Sequence, residues 1–449
     1  MEVIMNRRDF LKKCTAIGVG GFLLSKQTLA LHINTRRPNI VYIVCDDLGY
    51  AEIGCQGYRD APTANIDSLA QNGLRCSDGY VSCPSCSPTR AGLMTGRYQQ
   101  RFSHEFSPPP DPQASGESGL PLTEVTLADR LKALGYATGI VGKWHLGSGP
   151  KHHPLSRSFD EFFGFLGGSH SYIDAMADPA NPILRGHDPV DEKEYLTDAF
   201  AREAVTFIER HKTEPFFLYV AFNAVHSPLK ASQKYLERVS QISVQNRRNF
   251  AAGLLALDEG VGTILAKLRQ CGIEQDTLVI FHNDNGGPAR ACNDPLRGGK
   301  RQLLEGGIRV PFFVQWKGRI PAGKVYNKPI ISLDILPTAV AAAGGQLPKE
   351  AKIDGVNLLP YLTGENAGEP HEYLFWRYGA QLAARKGEWK LIKRDSQAVE
   401  LYNLAKDIGE QHNLAKEKPD LARQLKDALE EWDAQLPKPD RNSASGTSG

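Results

Sequence analysis

Asn39-Ile-Val-Tyr-Ile-Val-Cys45 is an unbroken apolar run, and the chain continues directly into the acidic pair Asp46-Asp47. An apolar run without polar alternation is typical of a parallel strand that is covered on both faces. The run therefore predicts a central strand of a parallel sheet. The acidic pair is predicted to lie at the carboxyl end of that strand.

The same pattern returns three times further along the chain. Apolar runs at 136–141, 216–222 and 277–281 are followed by Lys143-Trp-His145, by His226 and by Asp284-Asn-Gly-Gly287. Amphipathic segments with helix-start and helix-stop residues lie around these runs, at 63–73, 126–135, 197–212 and 246–272. This alternation predicts an α/β fold with a large central, mostly parallel sheet sandwiched by helices.

The polar residues that follow these four strands predict one functional site. In open α/β sheets, ligands bind beyond the carboxyl ends of the strands. For any single strand the alternative is an ordinary polar turn, since Asp, Asn and Gly are common loop formers. Because four strands end in this way, we expect a polar site assembled from distant segments.

Beyond about residue 370 the pattern changes to short alternating strands, followed by an amphipathic segment at 419–436. This predicts a second, smaller domain with an antiparallel sheet plus a helix. The expected division is a main domain at 31–370, a C-terminal α+β domain at 371–440 and a disordered tail at 441–449, which is of low complexity.

The first thirty residues have the layout of a secretory signal. A basic head with the pair Arg7-Arg8 precedes an apolar run at 14–24 and a small-residue end at Ala30. The arginine pair resembles the twin-arginine type of signal. A membrane anchor is the alternative, but the apolar run falls short of the roughly 20 residues that a span needs. We expect cleavage near Ala30, a periplasmic or extracellular product and no stable membrane insertion.

Charge and cysteine content exclude some functions and leave others open. The chain of 449 residues has 53 Lys and Arg against 51 Asp and Glu, so its net charge of +2 does not predict nucleic-acid binding. Five cysteines crowd residues 45–86, but their spacing fits no common zinc motif. A disulfide knot stays open, as does a redox pair at Cys83 and Cys86.

The most specific motif is Cys86-Ser-Pro-Thr-Arg-Ala-Gly-Leu-Met-Thr-Gly96. It resembles the signature of the type I, formylglycine-dependent sulfatases, which belong to the alkaline phosphatase superfamily. The resemblance extends over about residues 35 to 435. It includes Asn65-Ile-Asp-Ser-Leu-Ala, Lys143-Trp-His-Leu-Gly147, Asp284-Asn-Gly-Gly287, Arg297-Gly-Gly-Lys300, Glu305-Gly-Gly-Ile-Arg-Val-Pro311 and Glu400-Leu-Tyr-Asn-Leu404.

The resemblance implies that Cys86 is oxidised to 3-oxoalanine (formylglycine) by a formylglycine-generating maturation enzyme, and that the aldehyde hydrate is the nucleophile. The alternative is an inert free thiol. Ser87 and Pro88 are also expected at the start of a helix, with Ser87 as its cap. The positive end of that helix would then face a bound sulfate.

A cation site is predicted from hard oxygen donors at two strand ends. Asp46, Asp47, Asp284 and Asn285 suit Ca²⁺ or Mg²⁺ better than zinc. The resemblance implies Ca²⁺ most often, in contact with the modified residue 86. A simple turn at 284–286 is the alternative.

The resemblance also implies roles for five further residues. Arg90, Lys143 and Lys300 would surround residue 86 and the sulfate oxygens. His145 would hold the hydrated aldehyde and help to expel sulfate, and His226 would protonate the departing alcohol.

The expected activity is hydrolysis of sulfate esters of a carbohydrate, and Arg97-Tyr-Gln-Gln-Arg-Phe102 is similar to sulfatases that act on sulfated galactose units. Two alternatives stay open: a formylglycine-dependent phosphonate or phosphate ester hydrolase, and a non-catalytic protein that binds sulfated glycans. Side chains that we consider for sugar contacts are His104, Glu105, His170, Tyr172, Trp376 and Arg377.

Overall fold

The computed structural model describes residues 37–58, 60–108, 118–394 and 398–438. The predicted signal at 1–30 and the predicted tail at 441–449 lie outside these ranges. All described residues fall within one compact unit. The boundaries expected at 31, 371 and 440 stay predictions.

The strands lie close to the apolar runs of the sequence. In chain order they are β1 (Asn39–Cys45), β2 (Leu74–Cys76), β3 (Gly79–Tyr80), β4 (Ala137–Lys143), β5 (Glu161–Phe165), β6 (Leu184–Arg185), β7 (Asp188–Pro189), β8 (Phe216–Ala221), β9 (Thr277–Asn283), β10 (Phe312–Gln315), β11 (Lys324–Tyr326), β12 (Ile330–Ile331), β13 (Leu374–Tyr378), β14 (Gln381–Lys386), β15 (Trp389–Arg394) and β16 (Glu400–Asn403).

Ten of these strands form the main sheet in the order β11-β2-β10-β9-β1-β8-β4-β5-β6-β7. The central strands β9, β1, β8, β4 and β5 are parallel neighbours. Antiparallel pairs occur toward the edges, where β10 pairs with β9 and β6 pairs with β5. The prediction of a large, mostly parallel sheet is confirmed.

The predicted amphipathic segments are helices to within one or two residues, and further helices that were not predicted occur at 233–236, 305–308, 335–342 and 359–362. In chain order the helices are α1 (Ala64–Asn72), α2 (Cys86–Thr95), α3 (Leu127–Ala133), α4 (Leu196–His211), α5 (Gln233–Leu236), α6 (Gln245–Gln270), α7 (Glu305–Ile308), α8 (Ile335–Ala342), α9 (Leu359–Leu362) and α10 (Pro419–Ala434). Among the described residues, no helix combines the length and the apolar character that crossing a bilayer requires.

Helices cover both faces of the sheet because β1 is apolar on both sides. Val41 and Ile43 pack in one core with residues of α1, α4 and α6. Tyr42 and Val44 point the other way, into a second core with residues of α2, α3 and α8. The strand is therefore buried along its whole length, as its unbroken apolar sequence predicts.

The C-terminal strands β13 to β16 form a separate four-stranded antiparallel sheet. Leu425 and Leu429 of α10 pack on it in a third core, which also includes Tyr80 of β3 and Leu303 of the loop before α7. The predicted antiparallel sheet plus helix is therefore confirmed, and it shares a core with the elements near the predicted site.

Candidate active site

The four strands with polar carboxyl ends are consecutive in the sheet, in the order β9-β1-β8-β4. Asp284, Asp46, His226 and Lys143 follow or end these four strands in that order. Since the strands are parallel, their carboxyl ends meet at one edge. The predicted convergence of distant polar segments is therefore observed.

The acidic pair turns sharply after β1. Asp47 adopts a left-handed backbone conformation with φ of +61°, which Asp tolerates better than most residues. The backbone of Asp46 pairs with the loop after β8, since its N–H donates to the carbonyl of Ala224 and its own carbonyl accepts from Val225. These bonds fix the pair beside the loop that carries His226.

Cys86 is the first residue of α2, a helix that is buried along its whole length and ends at Gly96. Its Sγ lies 3.6 Å from Oδ1 of Asp46. Burial, followed by the charge of Asp46, raises the pKa of the Cys86 thiol to about 12. Cys86 is a free thiol in the structure and is held in its protonated form.

The expected capping role of Ser87 is wrong. Ser85 occupies the N-cap position and makes no side-chain capping bond. Ser87 Oγ instead donates to the carbonyl of His145 at 2.7 Å and lies 2.8 Å from Nε2 of His104. Ser87 therefore ties the start of α2 to the end of β4.

Four candidate ligand atoms come together at this edge. One atom each from Asp46, Asp47, Cys86 and His226 lies within 4.8 Å of the others. Asn285 joins the group because its Nδ2 donates to Oδ1 of Asp47 at 2.9 Å. The group thus joins Asp46, Asp47 and Asn285 of the predicted ligand set with the sulfur of Cys86 and a ring nitrogen of His226.

Two buried oxygens at this edge of the sheet have no hydrogen-bond partner in the structure, namely Oδ1 of Asp284, which lies outside that group of four, and Oδ1 of Asn285. A buried oxygen without a partner is costly, so such atoms call for an explanation. Hard oxygen atoms on two strand ends are suitable ligands for a divalent cation. The residues present therefore fit the predicted metal.

Three predicted cations each pair with a carboxylate of the site. Arg90 donates from Nε and Nη2 to Oδ2 of Asp284 at 3.0 and 2.7 Å, and from Nη1 to the carbonyl of Lys143. Lys143 Nζ donates to Asp46. Lys300 Nζ donates to Oδ1 of Asp47 at 2.6 Å. Arg90 thus pairs with Asp284 and with the backbone of Lys143, and its predicted place around residue 86 and the sulfate oxygens stays a prediction.

The charges make the three carboxylates unequal. Burial would raise the pKa of Asp46, but the charges of Lys143, His226, Arg90 and Lys300 outweigh it and hold that pKa well below the usual value. The pKa of Asp284 changes in the opposite direction, because burial and the neighbouring charge of Asp46 raise it to about 6 despite the charge of Arg90. A bound divalent cation would stabilise the ionised form of all three.

His226 lies on the loop after β8 with one ring nitrogen directed at the cluster. Nδ1 donates to the carbonyl of Ser227 at 2.6 Å, and Nε2 lies 3.7 Å from Oδ2 of Asp47. The hydroxyl of Tyr172 is within hydrogen-bonding distance of the carbonyls of His226 and Asn223, at 2.8 and 2.6 Å. Tyr172, expected to contact sugar, thus holds the His226 loop.

His145 also adopts a left-handed conformation, with φ of +59°. Non-glycine residues in this region concentrate at functional sites. Burial, followed by the charges of Lys143 and Arg90, lowers the pKa of His145 well below its usual value. Its buried Nδ1 has no hydrogen-bond partner in the structure. The ring is therefore neutral, and its Nδ1 is left without a partner.

Arg290 is a site residue that the sequence did not single out. Its Nη2 donates to Oδ2 of Asp47 at 2.8 Å, on the carboxylate that Lys300 also contacts. It follows Asn285 by five positions in a loop without a distinctive motif. The sequence holds no signal for it other than closeness to a predicted ligand.

The remaining sugar-contact candidates have partners inside the protein. Trp376 is fully buried and donates from its indole to the carbonyl of Val81. The guanidinium of Arg377 binds both carboxylate oxygens of Glu105 and also Asp433. Their predicted role in sugar binding is not supported, because every nitrogen of the two side chains already has a partner inside the protein.

The two histidines of that set are buried as well. Nε2 of His104 lies 2.8 Å from Oγ of Ser87 in α2, and burial lowers the pKa of His104 to about 4. The Nδ1 of His170 lies 2.8 Å from the carbonyl of Ser171, and its buried Nε2 has no partner in the structure. His104 therefore supports the start of the helix, whereas His170 stays a candidate.

The site has the parts of a hydrolase that acts on anionic esters. These are a candidate nucleophile at a helix start, a set of possible cation ligands, several basic side chains and two histidines. Comparison with known proteins makes the class specific. Residues 38–345 match the family model described as Sulfatase, and residues 298–435 match the model described as N-sulphoglucosamine sulphohydrolase, C-terminal. The chain belongs to the sulfatase family, and it is a sulfuric ester hydrolase.

Individual relatives are similar over most of the chain. Arylsulfatase A of Homo sapiens is 35% identical over 439 residues, covering 84% of this chain and 83% of the relative. N-acetylgalactosamine-6-sulfatase of Mus musculus is 33% identical over 404 residues, covering 84% of this chain and 76% of the relative.

The fold also has close solved counterparts. The crystal structure of Ps i-CgsB in complex with k-i-k-neocarrahexaose superposes with a TM-score of 0.86 at 35% identity, covering 92% of this chain and 97% of that chain. Sulfatases of this family generally use formylglycine and a divalent metal.

Proposed function

We propose that this protein removes sulfate from a sulfated carbohydrate, with residue 86 converted to formylglycine and with Ca²⁺ in the oxygen-lined site. The observation that carries the proposal is the contact of Cys86 with Asp46 at the start of a buried helix, beside two buried oxygens without partners. The names of two similar proteins support a carbohydrate substrate, namely an N-acetylgalactosamine-6-sulfatase and a protein solved with a neocarrahexaose.

Asp46, Asp47, Asp284 and Asn285 would hold the cation. A bound divalent cation supplies positive charge that polarises a sulfate oxygen and favours an ionised nucleophile. Two of these residues are prepared for it, because the charges of the surrounding basic groups outweigh burial and hold the pKa values of Asp46 and Asp47 below their usual value. Ca²⁺ is preferred because it accepts flexible sets of six to eight oxygen ligands.

The position of residue 86 suits an anion-binding nucleophile. The first backbone N–H groups of α2 point toward the space beside it, where the helix dipole favours negative charge. A hydrated aldehyde at residue 86 would offer a second hydroxyl through which sulfate can be released, whereas a thiol offers none. Conversion at residue 86 would also replace a protonated, weakly reactive thiol.

Lys143 and Lys300 would bind the sulfate oxygens. Both ammonium groups are at the cluster already, one on Asp46 and one on Asp47. Buried positive groups next to the transferring group are the usual means of stabilising charge in the transition state. Arg90 would act one step away, by holding Asp284 and the carbonyl of Lys143 in place.

His226 would donate the proton to the departing sugar oxygen. Burial, against the charges of Asp46 and Asp47, lowers the pKa of His226 in the substrate-free site. A bound sulfate ester adds negative charge, and negative charge raises the pKa of a nearby histidine. Protonation of His226 is therefore coupled to substrate binding. His145 would accept the proton from residue 86 when sulfate is released, and the unpartnered Nδ1 is the atom available for it.

Two further features belong to the same proposal. A formylglycine-generating enzyme would act on the chain before or during folding, because Cys86 is buried in the folded protein. Export to the periplasm or the cell exterior is proposed from the basic and apolar pattern of residues 1–30.

Sulfate release from a panel of defined sulfated oligosaccharides tests the proposal. The protein is co-produced with a maturation enzyme and compared with its Cys86→Ala variant. We expect release from at least one saccharide, and faster hydrolysis of 4-nitrophenyl sulfate than of a phenylphosphonate ester. Preference for the phosphonate ester, or equal sulfate release by the Cys86→Ala variant, would overturn it.

A further inference from the structure

A cavity of about 660 Å³ lies beside the candidate site and shares two residues with it. The loop that follows β9 forms most of its wall, at residues 287–302. Lys300 and Arg290 line the cavity, and both also contact Asp47. A group bound in this cavity would therefore be a near neighbour of a sulfate ester in the site.

The charged residues that line the cavity are three cations and one acid, namely Arg247, Arg290, Lys300 and Asp294. Arg247 is already neutralised, because it donates to both carboxylate oxygens of Glu52 at 2.8 Å and also to Asp60. Lys300 is committed to the sulfate in the proposed mechanism. Arg290 is the cation that remains for a further ligand.

Arg290 has hydrogen-bonding capacity to spare. It uses Nη2 for Asp47, whereas its buried Nε has no partner in the structure. Its side chain is 30% exposed, so the guanidinium is open to the cavity on one side. A planar group with unused donors is suited to binding a sulfate or a carboxylate.

The charge balance of the site also favours a second anion. Three carboxylates, those of Asp46, Asp47 and Asp284, are paired with four cations, which are Arg90, Lys143, Arg290 and Lys300. A bound divalent cation would raise the excess of positive charge from one to three. A monosulfate ester and an ionised nucleophile would return two negative charges and leave an excess of one, and uncompensated buried charge is costly.

We infer that Arg290 is a specificity-determining residue that binds a second anionic group of the substrate in this cavity. The inference rests on the proposed sulfatase function and defines its substrate as a saccharide with two anionic groups close together. The second group is a sulfate or a carboxylate, since both offer paired oxygens to a guanidinium.

Binding to inactive protein tests this without turnover. Calorimetry on the Cys86→Ala protein would compare a monosulfated disaccharide with the same disaccharide bearing a second sulfate, and with one bearing a carboxylate. We expect Arg290→Gln, added to Cys86→Ala, to weaken binding of a dianionic ligand at least tenfold and of the monosulfated ligand less than threefold. Equal weakening of all three ligands, or none, would overturn the inference.

Kinetics on the matured enzyme give a second readout. Arg290→Gln should lower kcat/KM for the better dianionic saccharide at least tenfold more than for the monosulfated one, and Arg290→Lys should recover part of the difference. Arg423→Gln removes the same charge from an exposed ion pair on α10 and is the control. An equal loss on both substrates would mean that Arg290 only supports Asp47. Binding that discriminates without any sulfate release would contradict the proposed function instead.

Discussion

Cys86 Sγ lies 3.6 Å from Oδ1 of Asp46, although the two residues are 40 positions apart and belong to a helix and a strand end. The contact exists because β1 ends at the same edge of the sheet at which α2 begins. It brings the oxidisable side chain of the family motif onto the first ligand of the proposed cation. The proposed nucleophile and the proposed cation site are therefore one structural unit.

Removal of the cation should abolish activity and reduce stability. The buried Oδ1 atoms of Asp284 and Asn285 have no partner and are costly without a cation, so a cation that binds only the folded state must stabilise it. Chelator treatment should lower Tm, and added Ca²⁺ should restore it. At a free Ca²⁺ concentration of 100 Kd, the gain in the free energy of unfolding is about 2.7 kcal/mol. Thermal unfolding across a Ca²⁺ titration measures this.

Matched amide substitutions localise the effect. Asn285→Ala should weaken the dependence on Ca²⁺, because Oδ1 of Asn285 is a proposed ligand. Asn366→Ala removes an exposed amide and should leave the dependence on Ca²⁺ unchanged. If activity and Tm change with neither chelator nor Ca²⁺, the assignment of a cation site is contradicted.

Gln381 of β14 should position Lys300. Its amide accepts from the N–H of Leu303 at 3.1 Å and donates to the carbonyl of Arg301 at 3.0 Å. Gln381→Ala should therefore loosen this loop and lower kcat/KM about tenfold, at a loss of stability of about 1–2 kcal/mol.

The effect should depend on the lysine itself. In a Lys300→Met background, Gln381→Ala should lower kcat/KM no further, because there is no ammonium group left to position. Gln411→Ala, which removes a local bond to Gly409, is the control. A full tenfold loss in both backgrounds would show that Gln381 acts elsewhere.

Trp376→Phe should reduce stability without changing KM. The substitution keeps a ring against Tyr80, whose centroid is 5.3 Å away, but leaves the carbonyl of Val81 without its donor. We expect a loss of about 1–3 kcal/mol in the free energy of unfolding. Denaturant unfolding and saccharide kinetics check it. A raised KM at unchanged stability would restore the predicted sugar contact.

Stability should depend on pH through His371. Its Nε2 lies 2.8 Å from Oδ1 of the buried Asp334. Burial alone would lower the pKa of His371, but the charge and hydrogen bond of Asp334 outweigh it and raise the pKa above its usual value. The folded state thus binds this proton more tightly than the unfolded state does.

The sign follows from that difference. The stabilisation is complete below the unfolded pKa and is lost as the pH rises through the raised folded pKa. The Tm advantage of the wild type over His371→Gln should therefore be larger near about pH 6 than near about pH 9. A Tm advantage of the wild type that grows as the pH rises would contradict a raised pKa of His371 in the folded state.

The sequence predicted those parts of the site that depend on periodicity and on sheet topology. Asp46, Lys143 and Asp284 were predictable because each ends or follows an apolar run, and parallel strands bring their carboxyl ends together. The helix at Cys86 and the C-terminal antiparallel sheet followed from comparable local patterns.

The direction in which a side chain points could not be predicted from such local patterns. Trp376 lies on an alternating strand, and only the packing of the C-terminal sheet on Tyr80 decides that its indole is internal. Arg290 reaches Asp47 because of the path of one loop. Ser87 bonds across to His145 rather than to its own helix, which depends on how β4 and α2 are placed.

The chemical state of residue 86 in active protein tests the central claim most directly. Peptide mass spectrometry of the segment around residue 86, on the same preparation used for sulfate release, measures the fraction in which the cysteine sulfur has been replaced by an aldehyde. Activity should rise in proportion to that fraction and vanish in Cys86→Ala. Full sulfate release from protein that retains an unmodified Cys86 would contradict the account.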